Sequence, residues 1–298
     1  MSGDVSRPGL RKGGIIEKTK EFWRVYSRIR VGKIGLVLLL IYVVMAVFAP
    51  WIAPYNPRAI LVGKHFEPPS WKHPLGTDEM GRDILSEVIY GARTSLLVGI
   101  LAALLTMVIG TAIGIASGYI GGITDDLLMR LTDLFLVIPG LPFIIVLSVI
   151  LGASIWNIIL VIALIAWPGT ARLVRSETLS LKERMFVHAS RVAGASDFYI
   201  MVHHILPNVL PIVSATMVLN VTRAIILEAG LSFLGLGDPT AISWGTMLYF
   251  ADKEGAMLSP NPYYIIAPGV ALMGIGLAFV FISYALDEVV NPKLRQRR

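Results

Sequence analysis

Residues 185–208 read MFVHASRVAGASDFYIMVHHILPN, a jointed, polar stretch set between two of the most apolar parts of the chain. Where this stretch lies decides the fold. The interval 168–208 around it carries Arg172, Arg175, Glu177, Lys182, Glu183, Arg184, Arg191 and Asp197. Each such charge costs roughly 2.5–3.5 kcal/mol at a bilayer centre, so the interval does not cross a membrane. Within it, Met185, Phe186, Ala189, Val192 and Ala193 fall on one helical face. After Gly194 and Ala195, with Ser196 placed to cap, Phe198, Met201, Val202, Ile205 and Leu206 repeat the pattern. The spacing predicts two short amphipathic helices joined at a glycine. Helices of two or three turns are marginal alone, so each stripe needs a surface, either the protein's own helix ends or a groove on a separate protein.

The surrounding composition says which kind of protein this is. Of 298 residues, 55% are hydrophobic and 15% charged, and the mean hydropathy is +0.71. That is more apolar surface than a soluble core of this length hides. About 20 helical residues cross a hydrocarbon layer, and uncharged runs of that order occur at 34–53, 95–117, 134–151, 154–171 and 265–286. A sixth is placed at 209–227, because a start at Phe198 would take His203, His204, Pro207, Asn208 and Pro211 into the membrane. The expected fold is all-α and polytopic, with six transmembrane helices and a jointed loop at 172–208. Residues 1–33 form a basic tail, 34–53 the first transmembrane helix, 54–94 a long segment with an interfacial helix, 95–286 a core of five transmembrane helices, and 287–298 a second basic tail.

Charge bias orients this arrangement. With both termini in the cytoplasm, nineteen lysines and arginines lie inside. Outside lie Arg58, Lys64, Lys72, Arg82, Arg93 and Lys253, and Arg223 remains in the membrane. The net charge of +6 follows from the same bias toward an anionic inner leaflet, and no nucleic-acid-binding motif accompanies it. The first apolar run is long and its Ala49 precedes Pro50, which suits a permanent helix rather than a cleaved signal. The absence of cysteine removes disulfides, thiolate metal clusters and a cysteine nucleophile.

Several local features carry expectations of their own. Trp23 and Tyr26 among Arg24, Arg28 and Arg30 suit either a segment at the inner interface or a disordered leader. Ile84, Leu85, Val88 and Ile89 share a face, so an interfacial helix is expected over 77–90, with Asp78, Glu79 and Asp83 at its positive end. Gly110, Gly114 and Gly118 form a four-residue stripe for close helix packing. Pro139, Gly140 and Pro142 predict a bend in the third span, and Gly152–Ala153 a tight hairpin into the fourth.

At this point the residues resemble a known family. ABC-importer permease subunits share a loop of pattern E-A-A, three residues, G, nine residues, I-x-L-P. Here it falls on His188, Ala189 and Ser190, then Gly194, then His204, Ile205, Leu206 and Pro207. Alanine, glycine, leucine and proline match; His188, Ser190 and His204 depart. Two further stretches, HPLGTDEMGRDILSEVIYGARTSLLVG at 73–99 and EAGLSFLGLGDPTAISWGTML at 228–248, are similar to dipeptide, oligopeptide and nickel permeases of the C type. The resemblance implies a type I importer permease that is not itself an enzyme. It implies two ATPase subunits that use ATP and Mg, a homologous second permease subunit, and an external solute-binding protein carrying peptides, oligosaccharides or nickel complexes. It also assigns His188, Ala189, Ser190, Gly194, Ala195, Ser196, Asp197, Leu206 and Pro207 to ATPase coupling.

The residues agree with an outside source of energy. No G-x-x-x-x-G-K-[ST] occurs, so the chain has no phosphate cradle of that kind. Arg223 and Glu228 are the charges nearest the membrane interior and lie five apart, too far around a helix to pair. With Asn220 they either line a pathway or, in the case of Arg223, meet a partner or reach the outer interface. His203 and His204 point to different faces and His65 and His73 sit in a polar loop, so no metal site is expected. The spans lack the serine–histidine or paired-aspartate sets of an intramembrane hydrolase, and a channel or secondary transporter has no need of the jointed loop.

Overall fold

The computed structural model describes residues 23–256 and 261–290; the rest of the two basic tails lies outside the described residues. The described chain is built from helices α1 (Arg30–Val47), α2 (Ala49–Ile52), α3 (Ile84–Ile120), α4 (Gly122–Val137), α5 (Gly140–Leu151), α6 (Ile155–Lys182), α7 (Met185–Val192), α8 (Asp197–Ile200), α9 (Leu206–Phe233), α10 (Trp244–Lys253) and α11 (Tyr263–Val290). Five continuous helical segments are long and apolar enough to span a membrane: α1, α3, α6, α11 and the run Asp197–Phe233. A sixth span exists only if α4 and α5 count together, and these are bent by 93°.

The bend falls where the prolines put it. Ile138 ends α4 in an extended conformation and Pro139 occupies the position before α5, since the residue before proline is pushed out of the helical region. A helix of 12 residues covers about 18 Å, which is less than a bilayer core. The expected third span at 134–151 is therefore not a single helix. Gly152 makes the turn into α6 with φ +85°.

Two other expected boundaries move. The interfacial helix at 77–90 is the first part of α3, a 37-residue helix that starts at Ile84. Asp83 caps it by accepting from the Ser86 amide at 2.8 Å. Asp78 instead closes the preceding turn, accepting from the Met80 and Arg82 amides at 2.9 and 2.7 Å. Likewise the fifth span does not begin at 209, because α8, a π-helical turn at Met201–Ile205 and α9 form one continuous helix. The wide π turn, in which the Leu206 amide bonds the Met201 carbonyl, relieves the clash that Pro207 would make in a regular helix. Asn208 Nδ2 donates to the His204 carbonyl at 2.6 Å, serving an acceptor of the widened turn.

The glycine stripe positions the central pair. A Cβ at Gly110 would lie 2.6 Å from Thr170 Cβ, one at Gly114 2.6 Å from Val174 Cβ, and one at Gly118 2.9 Å from Thr178 Cβ. Gly110, Gly114 and Gly118 thus seat Thr170, Val174 and Thr178 of α6 directly on α3. α9 packs on α3 about three turns nearer its start, through Ile225, which is buried against Gly99.

Candidate functional site

The jointed loop occupies one end of the bundle. α6 continues to Lys182, so the expected loop 172–208 narrows to a link at Glu183 and Arg184, then α7, a turn at 193–196, and α8. Gly194 sits at the joint with φ +83° and open space around its Cα; other residues rarely adopt that backbone. The Ala195 amide bonds the Ser190 carbonyl at 3.1 Å. Ser196 caps α8 by accepting from the Tyr199 amide at 3.3 Å.

The two helices of the loop are seated differently. In α7, Val187 is fully buried, against a cluster that includes Ile115, Val174, Ile200 and Val209. The predicted stripe faces the other way: Met185 is 87% exposed and Val192 90%, and Phe186, Ala189 and Ala193 are exposed too. In α8 and the π turn, Ile200 and Ile205 are fully buried, whereas Phe198 is 73% exposed. Leu206 is half-buried and Pro207 exposed. His188, also exposed, stands 3.7 Å from Glu183. Ser190 Oγ and His204 Nε2 are 3.0 Å apart. Asp197 accepts from the Tyr119 hydroxyl at 2.9 Å, and Arg191 donates to the same hydroxyl at 3.1 Å. That hydroxyl holds the Arg191 guanidinium above its ordinary pKa.

The other predicted residues lie toward the opposite end, on α9. Asn220 is half-buried and Arg223 exposed, with no acidic partner among the described residues. Glu228 is 2% exposed and so does not join them on a surface. Its Oε1 accepts from Ser232 and Ser243 at 2.8 and 2.7 Å, and its Oε2 from Ser95 at 3.4 Å. It ties α3, α9 and the start of α10 together inside the bundle.

Beside this end, residues 54–83 fold around charged pairs. Arg82 contacts Asp78, Glu79 and Glu87, at 2.5, 3.2 and 3.3 Å. His73 meets Asp83 at 2.9 Å. Burial, then Asp78, pushes the Glu79 carboxyl above the usual range. In the 234–243 turn, burial works against the charge of Asp238, but the Thr240 hydroxyl and amide hold its pKa down. Tyr119, Ser95 and Ser243 were not legible as site residues, because each acquires its role from a partner on another helix.

Comparison with known proteins decides what this arrangement belongs to. Residues 110–296 match the family described as binding-protein-dependent transport system inner membrane component. Residues 18–69 match the N-terminal TM domain of oligopeptide transport permease C. The chain belongs to the binding-protein-dependent transport permeases. It is 37% identical to the dipeptide transport system permease protein DppC of Haemophilus influenzae, over 93% of this chain and 95% of that protein. It is 41% identical to a candidate peptide permease protein of Brucella suis biovar 1, over 98% and 99% of the two chains. A candidate peptide transport system permease protein of Brucella melitensis biotype 1 is 38% identical, over 97% and 96%.

As a permease subunit the chain is a multi-pass membrane protein and not an enzyme, and it works with an ATPase and a substrate-binding protein. The loop departs at three positions from the importer-permease pattern it resembles. Ser190 and His204 are two of the three departing positions, and they contact one another across the joint. The third, His188, faces solvent and Glu183.

Proposed function

We propose that this chain is one of two permease subunits of an ATP-driven importer of di- and oligopeptides, with its 183–205 loop docked on an ATPase subunit in the cytoplasm. The observation that carries this reading is the face of α7. Met185, Phe186, Ala189, Val192 and Ala193 turn away from the chain while Val187 anchors the helix from behind. A short amphipathic helix held with its apolar stripe outward is a knob for a groove. The excess of lysine and arginine on the loop side supports a cytoplasmic position for the loop and both termini.

Two ATPase subunits, one beneath each permease subunit, hold ATP and Mg. When ATP closes them, each carries its docked loop, and the spans rock between inward-open and outward-open states. A homologous second permease subunit supplies the other half of the pathway. The exposed Arg223 and the half-buried Asn220 of α9 face that subunit along the pathway. The external binding protein delivers cargo to residues 54–83 and 235–263. Peptide as cargo follows from the dipeptide and peptide transport named for the relatives.

The joint provides the test. Gly194→Val places a β-branched residue at φ +83° in open space, so it misaims α7 without a clash. A left-handed backbone costs a non-glycine residue roughly 1–2 kcal/mol. The variant is expected to reach the membrane with its permease mate but to accumulate a radiolabelled dipeptide at less than about one-tenth of the wild-type rate, following from the loss of positioning. Wild-type uptake would contradict the docking role of the loop.

A further inference from the structure

Three spans meet the loop, and only two are joined to it through the chain. α6 enters it across Glu183 and Arg184, and α9 leaves it through the π turn. α3 has no covalent link to either half, so any movement of the loop reaches α3 through side chains. At its loop end, Tyr119 is 3% exposed. Its hydroxyl donates to Asp197 Oδ1 at 2.9 Å and accepts from Arg191 Nη2 at 3.1 Å. Arg191 belongs to α7 and Asp197 to α8, so one phenol holds both sides of the Gly194 joint. The same ring lies 5.6 Å from the Arg191 guanidinium and 5.8 Å from Lys182 Nζ at the end of α6.

The opposite end of α3 is held as firmly. The helix runs unbroken for 37 residues, about 55 Å. Near its start, the Val88 carbonyl accepts from the Trp244 indole at 3.0 Å, and Ser95 donates to Glu228. A rigid helix clamped to the loop at one end and to α10 at the other has the form of a push-rod.

We infer that Tyr119 is the positioning residue that transmits movement of the docked loop into α3 and through it to the external face where α10 lies. The inference rests on the docking reading above and adds the route. A contact that holds α3 to both loop helices acts in both directions, so the same phenol carries the engagement of an external binding protein back to the ATPase. Packing around the ring alone resists compression but is not directional. The two charge-assisted hydrogen bonds fix the phenol to a single arrangement of both loop helices.

The test uses the intact importer, purified with its ATPase subunits and reconstituted in nanodiscs. ATP hydrolysis is measured with and without saturating external binding protein. Tyr119→Phe keeps the ring and its cation contacts and removes both hydrogen bonds. It is expected to lower the stimulation ratio roughly tenfold, in line with the loss of a charge-assisted hydrogen bond, with the ATPase still bound. Asp197→Ala is expected to lose a similar factor, and the double variant little more, since both cut one linkage. A ratio within about twofold of wild type in Tyr119→Phe, or full additivity of the two losses, overturns the inference while leaving docking intact. If the ATPase stays bound and fully stimulated when Met185 and Val192 are both replaced by Asp, the docking reading fails and the route fails with it.

Discussion

Gly91 of α3 and Trp244 of α10 meet without room for a side chain between them: a Cβ on Gly91 would lie 2.8 Å from Cδ1 of Trp244. The indole is fully buried and donates to the carbonyl of Val88, one turn away from that glycine. This contact fixes α10 against the spanning helix. Gly91→Val is therefore expected to destabilise the permease by about 1–3 kcal/mol, the usual effect of overpacking a tight contact. Trp244→Phe removes the indole donor and part of the ring, at about 1–2 kcal/mol. Thermal unfolding of the purified importer, followed with a thiol-free dye assay, checks both.

Glu228 gives a second prediction, opposite in kind to one for a pathway residue. Its carboxyl serves the hydroxyls of Ser95, Ser232 and Ser243 from three directions. Glu228→Ala leaves these hydroxyls buried without their acceptor and should cost about 2–3 kcal/mol of stability. Glu228→Gln keeps an acceptor for Ser232 and Ser243 and should cost less than half of that. A residue lining the pathway would show the reverse, with little change in melting and a large change in uptake.

The apolar stretches of α1, α3, α6 and α11 were legible because burial in lipid demands long uncharged runs, whereas the run at 134–151 is broken at Pro139 and the fifth span starts at Asp197. The glycine stripe at Gly110, Gly114 and Gly118 was legible too: absent side chains at a fixed spacing state their own packing. Helix boundaries were harder. Asp78 and Asp83 are both acceptable caps, and the choice depended on Arg82, Met80 and Ser86 drawing Asp78 into a turn and Asp83 onto the helix. Pro207 suggested a break, but one π turn carries the helix through it. From the sequence alone Glu228 is an unpartnered membrane charge, because its partners Ser95 and Ser243 lie 133 and 15 residues away. The outward face of α7 was patterned in the sequence, and the structure adds that Val187 on its other side is the residue the bundle holds.

The segment before α3 should respond to pH through Glu79. Burial and the neighbouring Asp78 raise its folded pKa, so its contribution to stability is fully present below the ordinary glutamate pKa of about 4.3 and is lost as pH rises through the folded value. Glu79→Gln should then stabilise the protein at neutral pH and lose that advantage as the pH approaches 4. Melting temperatures of the two proteins taken across that interval give the sign directly.

Under the proposed function, the exposed stripe of α7 seats in an ATPase subunit. The chain contains no cysteine, so Val192→Cys, at a position 90% exposed, introduces a single thiol at that stripe. In native membranes, a short thiol-to-amine cross-linker on this residue is predicted to join the permease to its ATPase subunit, with a yield that changes when ATP is bound. A thiol that reacts freely with maleimide yet forms no such adduct in an actively transporting importer would contradict the account.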